Sequence, residues 1–157
     1  MSEITLRPQR FWEDVQEGDA IEGFEITLNW TTMVEQVAGS QDWNLVHHDP
    51  DFAKASGHKG IFYNTGFTHA ALARTLTDWA GPYGWLRHLD FQMRRMNMNG
   101  DTMRTAGRVV RTYEEDGQHL VEIELWIEND REGVTTPANA VLLLHSRKDE
   151  GNLKALV

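Results

Sequence analysis

Residues 64–80 constrain this chain more than any other stretch. Phe67, Ala70, Ala71, Leu72, Leu76 and Trp79 recur at spacings of three and four, the period of an amphipathic helix. Gly81-Pro82 supplies the stop. The alanines leave room for other elements to pack closely around such a helix. Beyond Pro82 the period changes to two. Strand character runs over 85–98, 102–113, 120–128 and 134–147, punctuated by Asn99-Gly100-Asp101 and by Asp116-Gly117, a strong hairpin signal. In the third of these segments Val121, Ile123, Leu125 and Ile127 share one face, and Glu122, Glu124 and Glu128 share the other.

The first half of the chain reads as a preparation for that helix. Phe11 and Trp12 open a short lead-in closed by a Gly18-Asp19 turn, and residues 24–30 alternate as a half-buried strand. Thr31 or Thr32, with Glu35, has the spacing of a capped helix start. Met33, Val34 and Val37 form its apolar side, and Gly39 is its expected end. Asp49-Pro50 opens a shorter helix through Phe52 and Ala53 to Gly57. One strand, a helical section and four hairpin-linked strands predict an α+β fold, an antiparallel sheet with helices on one face. We expect one domain over 1–157, with a lead-in over about 1–10 and a tail over about 149–157. A sheet wrapped around one long helix is the hot-dog architecture, which periodicity permits but does not select.

Composition narrows the partners. A net charge of −9 provides no broad basic face for nucleic acid. A phosphorylated small ligand needs only a local cluster, and Arg94 with Arg95 is the best candidate, Arg87 and Arg104 being near in sequence. Cysteine is absent, which excludes disulfides and Cys-based zinc sites. The apolar run over 140–144 is far too short to cross a bilayer. The opening residues 1–10 are polar and irregular, unlike a signal segment, so the expected compartment is the cytoplasm.

The chemistry is concentrated in residues 42–50, Asp-Trp-Asn-Leu-Val-His-His-Asp-Pro, where Asp42 and His47 stand five positions apart between two helical runs. A carboxylate and an imidazole form a kit for moving a proton on and off water, because imidazoles as a class titrate near neutrality. Most such pairs do no more than cap helices or face solvent. Residues 60–66, Gly-Ile-Phe-Tyr-Asn-Thr-Gly, lead into the long helix, whose first N–H groups suit a developing negative charge. His47, His48 and Asp49 are adjacent and lack a His-x-x-x-His partner, which argues against a metal. His48 reads as a surface or supporting group and His69 as a packing residue. Trp79, Trp85 and Trp126 read as core or interface. Trp43, inside the motif, reads equally as a packing residue or as the wall of a pocket.

Asp42, Asn44, His47, Asp49, Pro50, Phe52, Ala53 and Gly57 together resemble the MaoC-like, (R)-specific enoyl-CoA hydratase family, whose motif is Asp-x-Asn-x-x-His-x-Asp-Pro followed by Phe-Ala-x-x-x-Gly. The run Ile61-Phe62-x-Asn64 and residues 77–82, with the triplet 47–49, are similar to small MaoC-like subunits of steroid side-chain hydratases. The resemblance implies a hot-dog fold and reversible syn hydration of a trans-2-enoyl thioester to a (3R)-hydroxyacyl-CoA. Asp42 and His47 would hold the water, and Asn44 would orient their loop. Backbone N–H groups of Thr65 and Gly66 would bind the thioester oxygen, with Trp43, Asn64, Arg94 and Arg95 contacting substrate. The CoA ester is the substrate, so no cofactor or metal is implied, and the expected assembly is a homodimer or a heteromer with another hot-dog subunit. Two departures stand out: Leu45 replaces a proline common in the family, and Asn64-Thr65 replaces His-Gly. A hot-dog thioesterase and a non-catalytic acyl-binding subunit are the alternative readings.

Overall fold

The computed structural model describes residues 7–151. Its elements are β1 (Ala20–Thr27), α1 (Trp30–Ser40), α2 (Pro50–Ala55), α3 (Thr65–Ala80), β2 (Trp85–Phe91), β3 (Thr102–Glu115), β4 (Gln118–Asn129) and β5 (Gly133–Leu143). The five strands form one antiparallel sheet in the order β1-β3-β4-β5-β2. Helix α3 lies against it, touching β1, β2, β3 and β4. This is the hot-dog fold.

The expected long helix follows from its apolar period. Ala71, Leu72, Leu76, Trp79 and Ala80 are buried, with Thr68 and Thr75 between them. They meet the inward face of β4, where Val121, Ile123, Leu125 and Ile127 are buried in alternation. Cutting Leu72 or Leu76, both fully buried, back to alanine would cost about 2–5 kcal/mol. The outward face of the sheet is polar and cross-paired. Arg108 stands opposite Glu124 and Arg111 opposite Glu122, each arginine donating to its facing carboxylate. The β3–β4 hairpin turns at Asp116 and Gly117, both with positive φ (50° and 72°), as a two-residue type I′ loop requires.

Contact fixes Gly23 most tightly of the glycines. Gly23 sits at a bulge in the β1–β3 pairing, and a Cβ there would lie 2.0 Å from the Thr105 carbonyl oxygen. The Thr105 hydroxyl accepts from the Phe24 N–H and from the Thr75 hydroxyl at 2.7 Å. The bulge is thereby tied to the buried face of α3.

Several sequence expectations shift. Asn29 caps α1, in place of Thr31 or Thr32: its side chain accepts from Thr32 N–H, and the Thr32 hydroxyl accepts from Asn29 N–H. The reciprocal box is present one turn earlier, because β1 ends at Thr27 and does not run on to residue 30. The helix runs past Gly39 to Ser40 and ends at Gln41, in the left-handed region (φ 55°). Strand β2 stops at Phe91, well before 98. Its partner β5 presents Pro137, which has no N–H for the ladder; Gln92 then donates to the Pro137 carbonyl, and Arg94 and Arg95 both donate to Thr135. Strand β5 ends at Leu143, and the chain pairs instead with the lead-in, Trp12 N–H donating to His145. Trp79 is core, Trp126 is half-buried and donates to Glu128, and Trp85 is 66% exposed on an edge strand. Parts of the expected lead-in and tail, residues 1–6 and 152–157, lie outside the described residues.

The lead-in is latched to the other end of the chain by one carboxylate. Glu13 accepts from the Ser146 hydroxyl and the Arg147 N–H. These bonds, Ser146 first, hold its pKa down at about 2. A depressed pKa contributes stability that is complete above the ordinary glutamate range and is lost as pH falls towards about 2. On an exposed side chain solvent screening limits the effect to about 1 kcal/mol. Wild type should therefore melt above Glu13→Gln at neutral pH, and the gap should close between about pH 4.5 and 2 in thermal scans.

Candidate active site

The segment between α1 and α2 is built around its polar side chains. Asn44 accepts from Val46 N–H and so caps a single 3-10 turn (Leu45–His47). Asp49 accepts from Asp51 and Phe52 N–H and caps α2, with Pro50 in its first turn. Between these two caps His47 turns inward, 7% exposed. Asp42 lies before the turn, half-exposed, its Oδ1 accepting from Asn44 N–H at 3.4 Å.

Asp42 Oδ2 and His47 Nε2 face each other at 3.3 Å. On the other side of the ring, His47 Nδ1 lies 2.9 Å from the Phe62 carbonyl oxygen. A carbonyl only accepts, so Nδ1 must carry a proton. In the neutral imidazole Nε2 is then a lone pair turned towards a carboxylate. Two acceptors face one another, a place where a water would donate to both. The Phe62 ring also packs edge-on against the imidazole, with centroids 5.0 Å apart, and His58 contacts the Phe62 ring at a tilt, with centroids 4.8 Å apart.

The start of α3 lies next to this pair. Asn64 is 2% exposed and caps the helix by accepting from Phe67 N–H at 2.8 Å. Its amide donates to Ser40 Oγ at 2.6 Å, and its own N–H donates to Gln36 Oε1. Ser40 Oγ in turn lies 3.4 Å from Asp42 N. The end of α1, the Asp42 loop and the start of α3 therefore meet at one serine. Gly66 makes the closest approach: a Cβ there would come within 3.3 Å of Ser40 Cβ. Thr65 and Gly66 are exposed, and their N–H groups have no acceptor among the described residues.

A cavity of about 480 Å³ opens beside Gly66, between Gln36 and Ser40 of α1 and Ile26, Phe67 and Ala70 opposite. Its lining is mostly apolar, and its size is within the usual range for small-molecule sites. Tyr63 packs under Phe67, with ring centroids 4.0 Å apart. Burial pushes its phenol pKa up, against a smaller opposing effect of Thr32. A larger cleft of about 680 Å³ lies between Phe24, Arg74 and Trp79 towards the other end of α3. Neither space is lined by Asp42 or His47, but the smaller one reaches Ser40 and Gly66, which adjoin the Asp42 loop, and it is the candidate ligand cavity.

The remaining candidates divide. Thr65 Oγ1 contacts Met93 Sδ at 3.5 Å, which brings the segment carrying Arg94 and Arg95 next to the start of α3. Arg94 reaches only Gln92, and Arg95 pairs with Glu132. Arg104 is bound by Glu25 and Asp130, which raise its pKa, and Arg87 reaches Gln118; neither joins the cluster. Trp43 is 64% exposed and is not among the residues around the cavity. His69 is exposed and stacks on Phe91. No group of three potential metal ligands occurs among the described residues, and none of their helices is long and apolar enough to cross a membrane. Sequence reasoning missed Gln36, Ser40 and the Phe62 carbonyl. For the first two a signal existed: Thr32, Gln36 and Ser40 form a polar row at i, i+4, i+8 on a helix with an apolar core face. A backbone carbonyl leaves no such trace.

The sequence profile of the MaoC-like domain matches residues 15–129. The beta subunit of 3-oxo-4,17-pregnadiene-20-carboxyl-CoA hydratase from Mycobacterium tuberculosis is 32% identical over 93 residues, 59% of this chain and 70% of that subunit. Among solved structures, the ChsH1-ChsH2 complex from Mycobacterium tuberculosis superposes with a TM-score of 0.74 at 26% identity, over 82% of this chain and 98% of that one. The R-hydratase PhaJ1 from Pseudomonas aeruginosa superposes at 0.75 with 17% identity, over 87% of this chain and 86% of that one, a likeness of fold.

Asn64 sets a first test of the geometry. Asn64→Ala removes the cap and leaves Ser40 Oγ without its donor, and should lower stability by about 2 kcal/mol. Asn64→Asp keeps the cap acceptor and places a charge favourably at the helix start, so its melting temperature should fall between those of Asn64→Ala and wild type.

Proposed function

The chain belongs to the MaoC-like domain family, and from that premise we propose that it is a hydro-lyase. It adds water reversibly across a trans-2-enoyl-CoA to give a (3R)-hydroxyacyl-CoA. The observation that carries the reading is the 3.3 Å facing of Asp42 Oδ2 and His47 Nε2, with the opposite ring nitrogen committed to Phe62.

In this reading one water donates to both groups. Its oxygen bonds to C3 as His47 Nε2 takes a proton, and the π pair moves through C2 towards the thioester oxygen. The imidazolium so formed is balanced by the Asp42 carboxylate. The enolate oxygen is held by the free N–H groups of Thr65 and Gly66, at the positive end of α3. The proton then passes from Nε2 to C2 on the face the water used, which makes the addition syn. Asn44 holds the loop, and the acyl group lies in the cavity beside Gly66. Arg94, without a carboxylate partner among the described residues, is the better phosphate contact, and Arg95 the second. The reaction calls for neither cofactor nor metal. A second hot-dog subunit, identical or different, completes the assembly. That extension rests on the beta-subunit relative, the ChsH1-ChsH2 complex and the exposed edge strand β2.

The test is loss of enoyl absorbance against a panel of enoyl-CoA esters, for the chain alone and with co-expressed hot-dog partners. Release of free CoA without hydration would turn the reading to a thioesterase. Asp42→Asn and His47→Ala should each lower kcat by about 10²–10⁴. The double variant should be hardly worse than either, because both hold one water; near-wild-type turnover in a single variant refutes the dyad. Thr65→Pro keeps the first helical turn yet deletes one N–H, and should cost about 10²–10³ in kcat. Arg94→Ala should raise KM more than it lowers kcat.

A further inference from the structure

Behind His47 lies a buried polar network that the reaction itself does not use. Asp101 is its hub, with a side chain only 9% exposed. Its carboxylate accepts from Met98 N–H at 2.8 Å, from Asn129 Nδ2 at 3.2 Å and from the Arg131 guanidinium at 3.0 and 2.8 Å. Asn129 and Asn97 are each 3% exposed, and Asn129 Nδ2 also donates to Asn97 Oδ1 at 2.9 Å. The Asn129 amide cannot be reversed, because its Oδ1 accepts from Glu132 N–H. Arg131 closes the turn by donating to the Met96 carbonyl.

Burying these groups is costly unless every one is paired, so the network must hold something that a simpler apolar contact would not. The 96–101 turn it shapes is bonded to the segment before α3: Tyr63 N–H donates to Asn97 O, and Asn99 N–H donates to Ile61 O. The residue between Ile61 and Tyr63 is Phe62, bridged to Met98. Its carbonyl is thereby aimed at His47 Nδ1, 2.9 Å away. The same turn is bonded to residue 28 at the entry to α1, in both directions.

We propose that Asp101 and Asn129 are positioning residues for His47. They fix the Phe62 carbonyl, and through it the Nδ1-protonated form of the imidazole, so that Nε2 is the nitrogen offered to Asp42. The tautomer claim stands on geometry alone, and its consequence for turnover rests on the hydratase reading.

The test has two arms. In ¹⁵N-labelled wild type without substrate, the His47 ring nitrogens should report the Nδ1-protonated tautomer. Asn129→Leu, similar in size but without the amide, should mix the two tautomers and lower kcat by about 10- to 100-fold with KM little changed. Asp101→Asn, which keeps one carbonyl oxygen for Met98 N–H, should do so to a smaller degree and serves if Asn129→Leu does not fold. A folded variant that melts lower yet keeps the wild-type tautomer would overturn the proposal, as would an Nε2-protonated wild type. If no enoyl-CoA is hydrated while the tautomer shifts as described, the positioning role is upheld and the hydratase reading fails.

Discussion

Every hydrogen-bonding group of Asn64 is engaged, and the site depends on that. Its N–H reaches Gln36, its amide nitrogen Ser40, its amide oxygen Phe67 N–H, and its carbonyl the N–H and hydroxyl of Thr68. At 2% exposure none of these groups can fall back on water. The side chain therefore fixes where α3 begins relative to α1. By consuming the Phe67 N–H as a cap it leaves the Thr65 and Gly66 N–H groups facing outwards. A helix must leave its first N–H groups unpaired within itself. Here one is used for structure, and two have no acceptor among the described residues.

The dyad follows a related logic of committed and uncommitted groups. An imidazole has two nitrogens, and only by tying one down does a fold decide what the other offers. The Phe62 carbonyl does the tying, and the 61–63 segment is itself held from both sides, by α3 and by the 96–101 turn. Asp42 is less constrained, half-exposed and linked to the frame through the weak contacts of its own loop. The histidine is thus the fixed member of the pair, and the carboxylate is the one held by fewer and longer contacts.

Much of this was legible in the sequence, for identifiable reasons. The period of α3, the Gly81-Pro82 stop, the Asp116-Gly117 hairpin and the Asp49-Pro50 start are local rules, and local rules act in the sequence itself. The misplaced pieces are those that a neighbour decides. Asn29 wins the α1 cap because β1 ends two residues before it. The β2 segment is cut short because Pro137, distant in sequence, has no N–H to donate to the ladder. Arg104 leaves the phosphate cluster because β3 sets it between Glu25 and Asp130. Trp85 goes to the outer edge because β2 is the last strand of the sheet. Asp42 and His47 were singled out by a motif resemblance more than by their spacing, and their 3.3 Å approach is a tertiary fact. The nitrogen that faces the carboxylate was hidden, since it depends on a backbone carbonyl fifteen residues away.

Charge presents the last apparent conflict, because a chain of net charge −9 is proposed to bind a polyanion. The long-range repulsion is short-lived in physiological salt, where fields fade within about 8 Å. Contact distances then decide, and there the distribution matters more than the sum. Arg108, Arg111, Arg131 and Arg147 are each neutralised by a neighbouring carboxylate, as Arg104 is, and none has charge to spare. Among the described residues the Arg94 side chain meets Gln92 and no carboxylate, as Arg87 meets Gln118, but the Arg94 N–H donates to the Thr135 carbonyl, which pins it beside the start of α3. Under the proposed function, the Arg94 guanidinium, on an anchored segment next to helix N–H groups without an acceptor among the described residues, is where an acidic protein would meet a phosphate. An acidic surface elsewhere would then discourage phosphates from settling anywhere but there.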